Sequence, residues 1–361
     1  MPHRGIRPRN RLLHFFAHPE NDTMTNRIDI VPPLLGLADP IEVMNALRKR
    51  WRARHGNVGY FPTNRAQPRI EACIKRKLEA FPGIAELKSA QRESLRRLAR
   101  EGALVVGPKT AHEVDELIAA LHAEAPWMSA VSTAIRQQLL AVLTTGRSGL
   151  LLRPILLVGD PGCGKSHYAR RLGELAALPV RRIDVGGGSA GFRISGLEKG
   201  WSGTCPGIPV ETVLASRTAN PMMIVDEVDK AGVLTKESGT STSLTTSLLE
   251  MLDLGTAARF GCPAYRVPFD LSRLCWILTA NDLRSVPAPL RDRCQIFAVP
   301  RPCPDDLVQV YDHLAQGIKD ADLVALGRAR LEYLAAQGLS LRQLLAWVEV
   351  LRGYDDRPQY H

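Results

Sequence analysis

The chain has 361 residues, so more than one domain of about 100–200 residues is expected, and its 45% apolar content is enough for a core in each. No run reaches the roughly 18 uncharged apolar residues of a membrane-spanning helix, and the seven cysteines lack paired spacing, which argues against a disulfide framework or a zinc site. The formal net charge is +10, and we expect reduced thiols in a cytoplasmic protein without a membrane partner.

Residues 1–126 are predicted to form a basic, mainly helical N-terminal region. Its leader, residues 1–23, is arginine-rich without the apolar core of a signal peptide, so we expect it to be disordered, or the chain to start at Met24; a targeting peptide is the alternative. Between Glu42 and Glu101 there are 15 Lys and Arg against 6 Glu. Such an excess indicates either a nucleic-acid or acidic protein partner, or solvated helical faces, and both interpretations stay open.

Residues 127–302 alternate between strand and helix patterns. The runs "PILLVGD", "VRRIDVGG", "PMMIVDEVD" and "LCWILTAND" predict buried strands, with helices "KSHYARRLGELAAL" and "IPVETVLASRTA" between them. This alternation predicts an α/β domain whose parallel sheet is covered on both faces. Residues 303–361 show three helical patterns, which predict a small all-helical domain after the sheet.

A glycine-rich loop follows the first of these strands. "GDPGCGKS", residues 159–166, fits G-x-x-x-x-G-K-[ST] between a strand and a helix, the context that a phosphate-binding loop requires. Its backbone N–H groups and the helix N-terminus would surround phosphate oxygens, Lys165 would reach the outer phosphates and Ser166 would hold Mg²⁺. The expected ATP contacts are Gly159, Asp160, Pro161, Gly162, Cys163, Gly164, Lys165, Ser166 and His167.

Two acids follow the apolar strand "MMIV". Asp226 is suited to the Mg²⁺ site, and Glu227 is suited to be the base that polarises an attacking water. Asn281 ends the strand "LCWILTA" and is suited either to orienting that water or to a simple turn. Arg291 and Arg293 follow in "PAPLRDRC", and either could stabilise charge on a phosphoryl group or form an ordinary salt bridge.

This set, in this order, resembles the AAA+ ATPases, with the ATPase module of the Lon proteases the nearest fit. The likeness covers about Pro154–Pro302 and includes "ISGLEKGWSGTCPG", "VDEVDKAG", "SLLEMLD" and "LTAND…VPAPLRDR". It implies a helical lid after the sheet domain, with ATP and Mg²⁺ as cofactors. It further implies that Asn281 is the sensor-1 residue, Arg293 the arginine finger and Arg342 the sensor-2 arginine.

The resemblance also assigns a role to a tryptophan among glycines. The segment "GLEKGWSGTCPG" matches the first pore loop of the family, whose aromatic residue grips a polypeptide in the channel of a homo-oligomeric, usually hexameric, ring. Trp201 and Ser202 fall on the two gripping positions. Trp201 is bulkier than the usual tyrosine, and Ser202 is polar where an apolar residue is usual. An aromatic side chain supplies a large contact area that tolerates different sequences.

These observations predict an ATP hydrolase that threads, unfolds or remodels protein through a ring pore. Because the chain given ends at His361, soon after the lid, we expect no peptidase activity and a separate effector or protease as partner. Two alternatives stay open. One is a nucleic-acid-associated motor that uses the basic region 42–101, and the other is an ATP-controlled assembly switch.

Overall fold

The computed structural model describes residues 26–32, 40–55, 61–80, 84, 86–185, 190–197, 205–230 and 244–355. Within them the strands are β1 (Arg27–Ile28), β2 (Ala103–Leu104), β3 (Ile155–Val158), β4 (Val180–Asp184), β5 (Gly196–Leu197), β6 (Cys205–Pro206), β7 (Met222–Asp226), β8 (Phe260–Gly261), β9 (Pro268–Phe269), β10 (Cys275–Ala280) and β11 (Gln295–Ala298). The α-helices are α1 (Pro40–His55), α2 (Thr63–Ala80), α3 (Ser89–Glu101), α4 (Ala111–Glu124), α5 (Ser129–Thr144), α6 (Lys165–Leu175), α7 (Ala190–Ser195), α8 (Ile208–Ser216), α9 (Leu244–Leu252), α10 (Leu254–Ala257), α11 (Ala288–Arg293), α12 (Pro304–Ala315), α13 (Ala321–Ala336) and α14 (Leu341–Asp355).

Five parallel strands form the main sheet, in the order β11-β3-β10-β7-β4. The four strands that the apolar runs predict are confirmed, and β10 is buried along its whole length, as in a sheet with both faces covered. The sequence analysis does not predict β11, an edge strand with only a short apolar run and with three exposed residues out of four. The order places β3, β10 and β7 side by side, so their carboxyl ends meet at one edge.

Successive residues of each strand point to opposite faces, and each face has its own core. Leu156, Met223 and Leu278 pack with α3, α8 and α9 on one face. Ile155, Ile224 and their neighbours pack on the other face with α4, α5 and α6 and with α12, α13 and α14. The α/β architecture predicted from sequence is therefore confirmed, with helices on both sides of the sheet.

The N-terminal residues divide between two cores. Strand β1 pairs antiparallel with β2, and α3 contributes to the first face of the sheet. The backbone just after β2 is tied to the sheet domain by Asn220, which is fully buried. The Asn220 side chain accepts a hydrogen bond from the Val106 amide and donates to the Val106 and Leu150 carbonyls at 2.8–2.9 Å. Helices α1 and α2 instead bury apolar residues against each other in a small separate cluster. The domain boundary at residue 126 stays a prediction.

The three helices predicted after residue 302 are present as α12, α13 and α14. Tyr311 lies at their centre, where its hydroxyl donates to the Val324 carbonyl at 2.9 Å and its ring stacks on Trp347. Leu341, at the start of α14, reaches the loop that precedes α6. Among the described residues no helix has the length and apolarity needed to cross a membrane. The cysteines from Cys163 to Cys303 are free thiols.

Candidate functional site

The loop between β3 and α6 is held in shape by a tryptophan that the sequence analysis does not single out. Gly164 has φ +92°, and a Cβ atom there would lie 3.1–3.2 Å from Leu341 and Trp127. The Trp127 indole N–H donates to the Cys163 carbonyl at 2.9 Å in a buried setting. Only glycine adopts this left-handed conformation without strain and leaves room for the neighbouring side chains. The loop conformation therefore depends on Gly164 and on the hydrogen bond from Trp127.

Lys165 begins α6 and is almost completely buried, with 7% of its surface exposed. Its ammonium group donates to the Gly159 carbonyl at 2.6 Å, to the Asp160 carbonyl at 2.9 Å and to Asn281 Oδ1 at 3.2 Å. A buried cation is tolerated because these oxygens replace water. The ammonium group therefore lies inside the loop, in contact with the tip of β10.

Asp226 ends β7 and is also buried. Its Oδ1 accepts hydrogen bonds from the Ser166 hydroxyl at 2.6 Å and from the Thr279 hydroxyl at 3.0 Å. Its Oδ2 lies 2.6 Å from Nε of Arg182, which also pairs with Asp184 on β4. A serine hydroxyl beside a carboxylate is the hard-oxygen ligand set that Mg²⁺ prefers.

Glu227 follows directly and has a left-handed backbone, φ +59°. Such a conformation costs a non-glycine residue about 1–3 kcal/mol and is typical of functional sites. Its amide donates to the Thr279 hydroxyl at 3.2 Å, so one threonine anchors both acids. The carboxylate pairs with Lys230 at 2.6 Å, and this hydrogen bond raises the pKa of Lys230. The Glu227 side chain is half exposed and therefore accessible to water.

Asn281 directly follows β10, the strand that lies next to β7. Its backbone N–H donates to Asp229 Oδ2 at 3.0 Å, and the next amide, of Asp282, donates to the same oxygen at 3.3 Å. Asp229 belongs to the helical turn 228–230 after β7. This carboxylate therefore joins the tips of two adjacent strands, a contact that the sequence analysis does not anticipate.

One cleft is lined by several of the predicted residues together. Its lining comprises Pro161, Gly162, Gly164, Lys165, Ser166, His167, Glu227, Thr279, Asn281, Leu341, Arg342 and Leu345, around a volume of about 270 Å³. Arg342, on the first turn of α14, thus faces the glycine-rich loop from the helical lid. A second cavity lies beside it, lined by His167, Glu124, Arg171 and residues of α12 and α14. Burial lowers the pKa of His167, with a further contribution from Arg170.

One predicted residue that the structure describes lies away from the cleft. Arg293 is exposed on α11, where its guanidinium donates to the Pro289 carbonyl at 3.1 Å, and it does not line the cleft. Trp201 and Ser202 lie outside the described residues. The segment that contains them, residues 198–204, connects β5 to β6, which pair antiparallel.

The segment that carries the sheet and the site resembles an ATPase domain of the AAA class. Residues 155–301 match the family described as "ATPase family associated with various cellular activities (AAA)". These are the residues that form the sheet from β3 to β11 and carry the loop, both acids and Asn281. The resemblance to AAA+ ATPases drawn from the sequence is confirmed.

The AAA domain is related to that of Lon proteases. The chain is 34% identical over 148 residues to Lon protease of Desulfovibrio desulfuricans, covering 41% of this chain and 16% of that protein. It is 31% identical over 182 residues to the mitochondrial Lon protease homolog of Caenorhabditis elegans, covering 50% and 18%. The alignments thus span less than a fifth of these curated relatives.

Among solved structures, the chain resembles a closed-state cryo-EM reconstruction of Hsp104 with ATPγS and FITC casein. The TM-score is 0.49 at 16% sequence identity, over 78% of this chain and 50% of that one. This likeness does not bear on function.

Proposed function

We propose that the protein hydrolyses ATP at the cleft between the glycine-rich loop and α14. The observation that carries the proposal is the convergence of Lys165, the Ser166–Asp226 pair and Asn281 at the carboxyl ends of β3, β7 and β10. Ligands of open parallel sheets bind at this edge. The match of residues 155–301 to the AAA family of ATPases also supports ATP hydrolysis at this site.

The residues present fit a nucleotide with Mg²⁺. The loop 159–166 has glycines at positive φ and ends at a helix N-terminus, which favours phosphate oxygens. The Lys165 ammonium would neutralise charge on the outer phosphates, and Ser166 with Asp226 would hold Mg²⁺. Bound Mg²⁺–ATP supplies the phosphoryl group and its charge neutralisation. The second cavity, with apolar residues of the lid and the flat ring of His167, would take the base.

Glu227 is proposed as the group that accepts a proton from the attacking water. Its side chain is half exposed, so water reaches the carboxylate, and the hydrogen bond from Lys230 raises the pKa of that lysine and keeps it charged. Asn281 would orient that water with its amide. Asp229 and Thr279 hold these two residues by their backbones, and a fixed backbone reduces the rearrangement needed in the transition state.

Arg293 and Arg342 are proposed to stabilise charge on the phosphates from two directions. Arg342 lines the cleft from the lid of the same chain. Arg293 is exposed on α11, a placement consistent with a role in the cleft of a neighbouring subunit. We therefore propose a homo-oligomeric ring of AAA domains, with hydrolysis dependent on assembly.

Protein is the proposed substrate, threaded or remodelled through the ring. Support comes from the relatives, which carry the name Lon protease, and from the match of Trp201 and Ser202 to the gripping positions of that family. Just outside the two strands that flank these residues the backbone is closely packed: a Cβ atom on Gly207 would overlap the Ile194 carbonyl oxygen. The pairing of these two strands brings the ends of segment 198–204 together at β5 and β6. A separate effector or protease partner stays a prediction.

The test combines hydrolysis with substrate unfolding. Lys165→Ala should abolish ATP binding measured with a fluorescent analogue, while Lys319→Ala, an exposed lysine of the lid, should leave it unchanged. Trp201→Ala should retain most ATP hydrolysis but lose ATP-dependent unfolding of a fluorescent protein bearing an unstructured tail. Trp201→Tyr should restore unfolding, because an aromatic ring is retained. Unfolding at the wild-type rate by Trp201→Ala would disprove threading by this residue without affecting the ATPase proposal.

A further inference from the structure

The ATPase proposal leaves one acid in the phosphate loop unexplained. Asp160 follows the first glycine of the loop 159–166, whose backbone N–H groups and adjoining helix N-terminus attract anions. A carboxylate at this place has the same sign of charge as the nucleotide phosphates, and like charges that lie close together destabilise each other. Asp160 therefore weakens phosphate binding unless a cation neutralises it.

Arg301 is that cation. Its Nε donates a hydrogen bond to Asp160 Oδ2 at 2.7 Å, although the two residues are 141 positions apart in the chain. Arg301 lies between β11 and α12, in the short segment that leads from the sheet to the helical lid. The Asp160 side chain is 55% exposed and that of Arg301 is 77% exposed, and pairs as exposed as this contribute little to stability. Stability of the fold therefore does not explain why the loop carries an acid with its own arginine.

Close packing of the backbone fixes the two chain segments that carry the pair. The Val299 amide donates to the Val158 carbonyl at 2.6 Å, just before the loop begins. A Cβ atom on Gly159 would overlap the Val299 carbonyl oxygen, so only glycine fits there. The segment that leads to the lid therefore runs directly beside the start of the phosphate loop, which places Arg301 within reach of Asp160.

The Asp160 carboxylate lies close enough to the phosphate site to act on it. The Asp160 carbonyl accepts a hydrogen bond from the Lys165 ammonium at 2.9 Å, and Lys165 is the residue proposed to neutralise the outer phosphates. Charges on exposed groups interact over about one Debye length, which is roughly 8 Å at physiological ionic strength and roughly 30 Å at 0.01 M salt. A carboxylate on the residue that contacts this lysine therefore repels a phosphate bound there, most strongly at low salt.

We propose that Arg301 is a positioning residue for nucleotide binding: it neutralises Asp160 and thereby raises the affinity of the loop for charged phosphates. The inference rests on the ATP site proposed above and deepens it by assigning a role to a residue that does not line the cleft. The electrostatic energy is proportional to the charge of the ligand. Arg301 should therefore favour a nucleoside triphosphate over a diphosphate, and it should not affect a nucleoside without phosphates.

The experiment uses the full chain and displacement of a fluorescent ATP analogue in the presence of Mg²⁺. The competing ligands are the non-hydrolysable analogue AMP-PNP, ADP and adenosine, each at low and at high salt. The variants are Arg301→Gln, Asp160→Asn and the double variant Asp160→Asn/Arg301→Gln. The matched control is Arg136→Gln, because Arg136 Nε pairs with Asp115 Oδ1 at the same 2.7 Å and both side chains are similarly exposed. This control pair joins α5 to α4 and lies outside the cleft.

Arg301→Gln should bind AMP-PNP roughly fivefold more weakly than wild type at low salt, the upper range for an exposed pair of charges. The loss should be smaller for ADP, absent for adenosine and largely removed at about 1 M salt, where the Debye length is about 3 Å. Asp160→Asn should bind AMP-PNP more tightly than wild type, because its arginine is then unpaired beside the phosphates. The double variant should return to near the wild-type affinity, since both charges are gone. Arg136→Gln should match wild type for all three ligands.

A purely structural contact between the loop and the segment before the lid gives a different pattern. Both single variants and the double variant would then bind all three ligands more weakly, at low and at high salt alike, and that pattern would overturn the proposal. Unchanged affinity of Arg301→Gln for AMP-PNP would overturn it as well. If wild type itself does not bind AMP-PNP, or if Lys165→Ala binds it normally, the ATP site on which this inference rests is wrong.

Discussion

Thr279 is the residue on which the geometry of both acids depends, and replacing it with valine tests this dependence. The side chain is 2% exposed on β10, between β3 and β7. Its hydroxyl donates to Asp226 Oδ1 at 3.0 Å and accepts from the Glu227 amide at 3.2 Å. Thr279→Val keeps a β-branched side chain of similar volume and removes both hydrogen bonds. The Glu227 amide then loses its partner.

The expected loss of stability follows from these two bonds. A hydrogen bond to a charged group contributes about 1.5–3 kcal/mol, and a buried donor left unpaired costs about 1–3 kcal/mol. Asp226 Oδ1 keeps its bond from Ser166, which reduces the first cost. We expect Thr279→Val to lower the free energy of unfolding by about 2–4 kcal/mol, a fall in Tm of about 4–16 °C for a domain of this size.

Hydrolysis should fall as well, because small displacements of catalytic groups cost up to about a hundredfold in rate. The assays are urea unfolding followed by circular dichroism and steady-state ATP turnover. Thr279→Ser is the control, since it keeps the hydroxyl and loses a single methyl group, worth about 1 kcal/mol. If Thr279→Val is as stable as Thr279→Ser and hydrolyses ATP at the wild-type rate, the hydroxyl does not anchor the acids and the reasoning is wrong.

Three further changes probe other parts of the site. Glu227→Gln should bind a fluorescent ATP analogue normally and hydrolyse ATP at least about a hundredfold more slowly, because an amide does not accept the proton; normal turnover would remove Glu227 from the role of base. Arg293→Ala should be inactive alone and regain hydrolysis when mixed with Lys165→Ala subunits, because each supplies what the other lacks across an interface; no recovery in the mixture would disprove action between subunits. Burial raises the pKa of Glu124, but two hydrogen bonds from Arg171 at 2.6–2.7 Å more than offset this and hold the pKa below its usual range. The pair therefore stabilises the fold above the unfolded-state pKa of about 4.3, and this contribution is lost as pH falls through the lower folded pKa. In urea titrations, Arg171→Gln should be less stable than wild type at pH 7, and the difference should shrink below about pH 4. A difference in stability that does not change with pH would contradict this assignment.

Much of the site could be predicted because its parts are local in sequence. The spacing of Gly159–Ser166 and its position between a strand and a helix are readable from eight residues. Asp226 and Asn281 follow apolar runs, so each could be assigned to the end of a buried strand. Parallel strands end at one edge, which predicts that these groups share a neighbourhood. The structure brings Lys165, Asp226 and Asn281 together there.

The residues that hold those groups were not predictable in the same way. Trp127 supports the loop 36 residues later in the chain, and Thr279 anchors acids that lie 53 and 52 residues before it. Asp229 is joined to Asn281 across a similar separation. The contacts of Thr279 and Asp229 depend on β10 lying next to β7, and the strand order of the sheet differs from chain order.

The sequence by itself determined the phosphate loop, four of the five strands of the main sheet and the chemical types at their ends, because local apolar runs and backbone requirements are written in adjacent residues. Tertiary structure decided which strand tips are neighbours, because strand order is set by packing helices on both faces of one sheet. It also decided that one hydroxyl, on Thr279, serves two carboxylate-bearing residues. The hydrogen-bond partner of a buried polar group depends on what the fold places within 3 Å of it, and no local pattern encodes that.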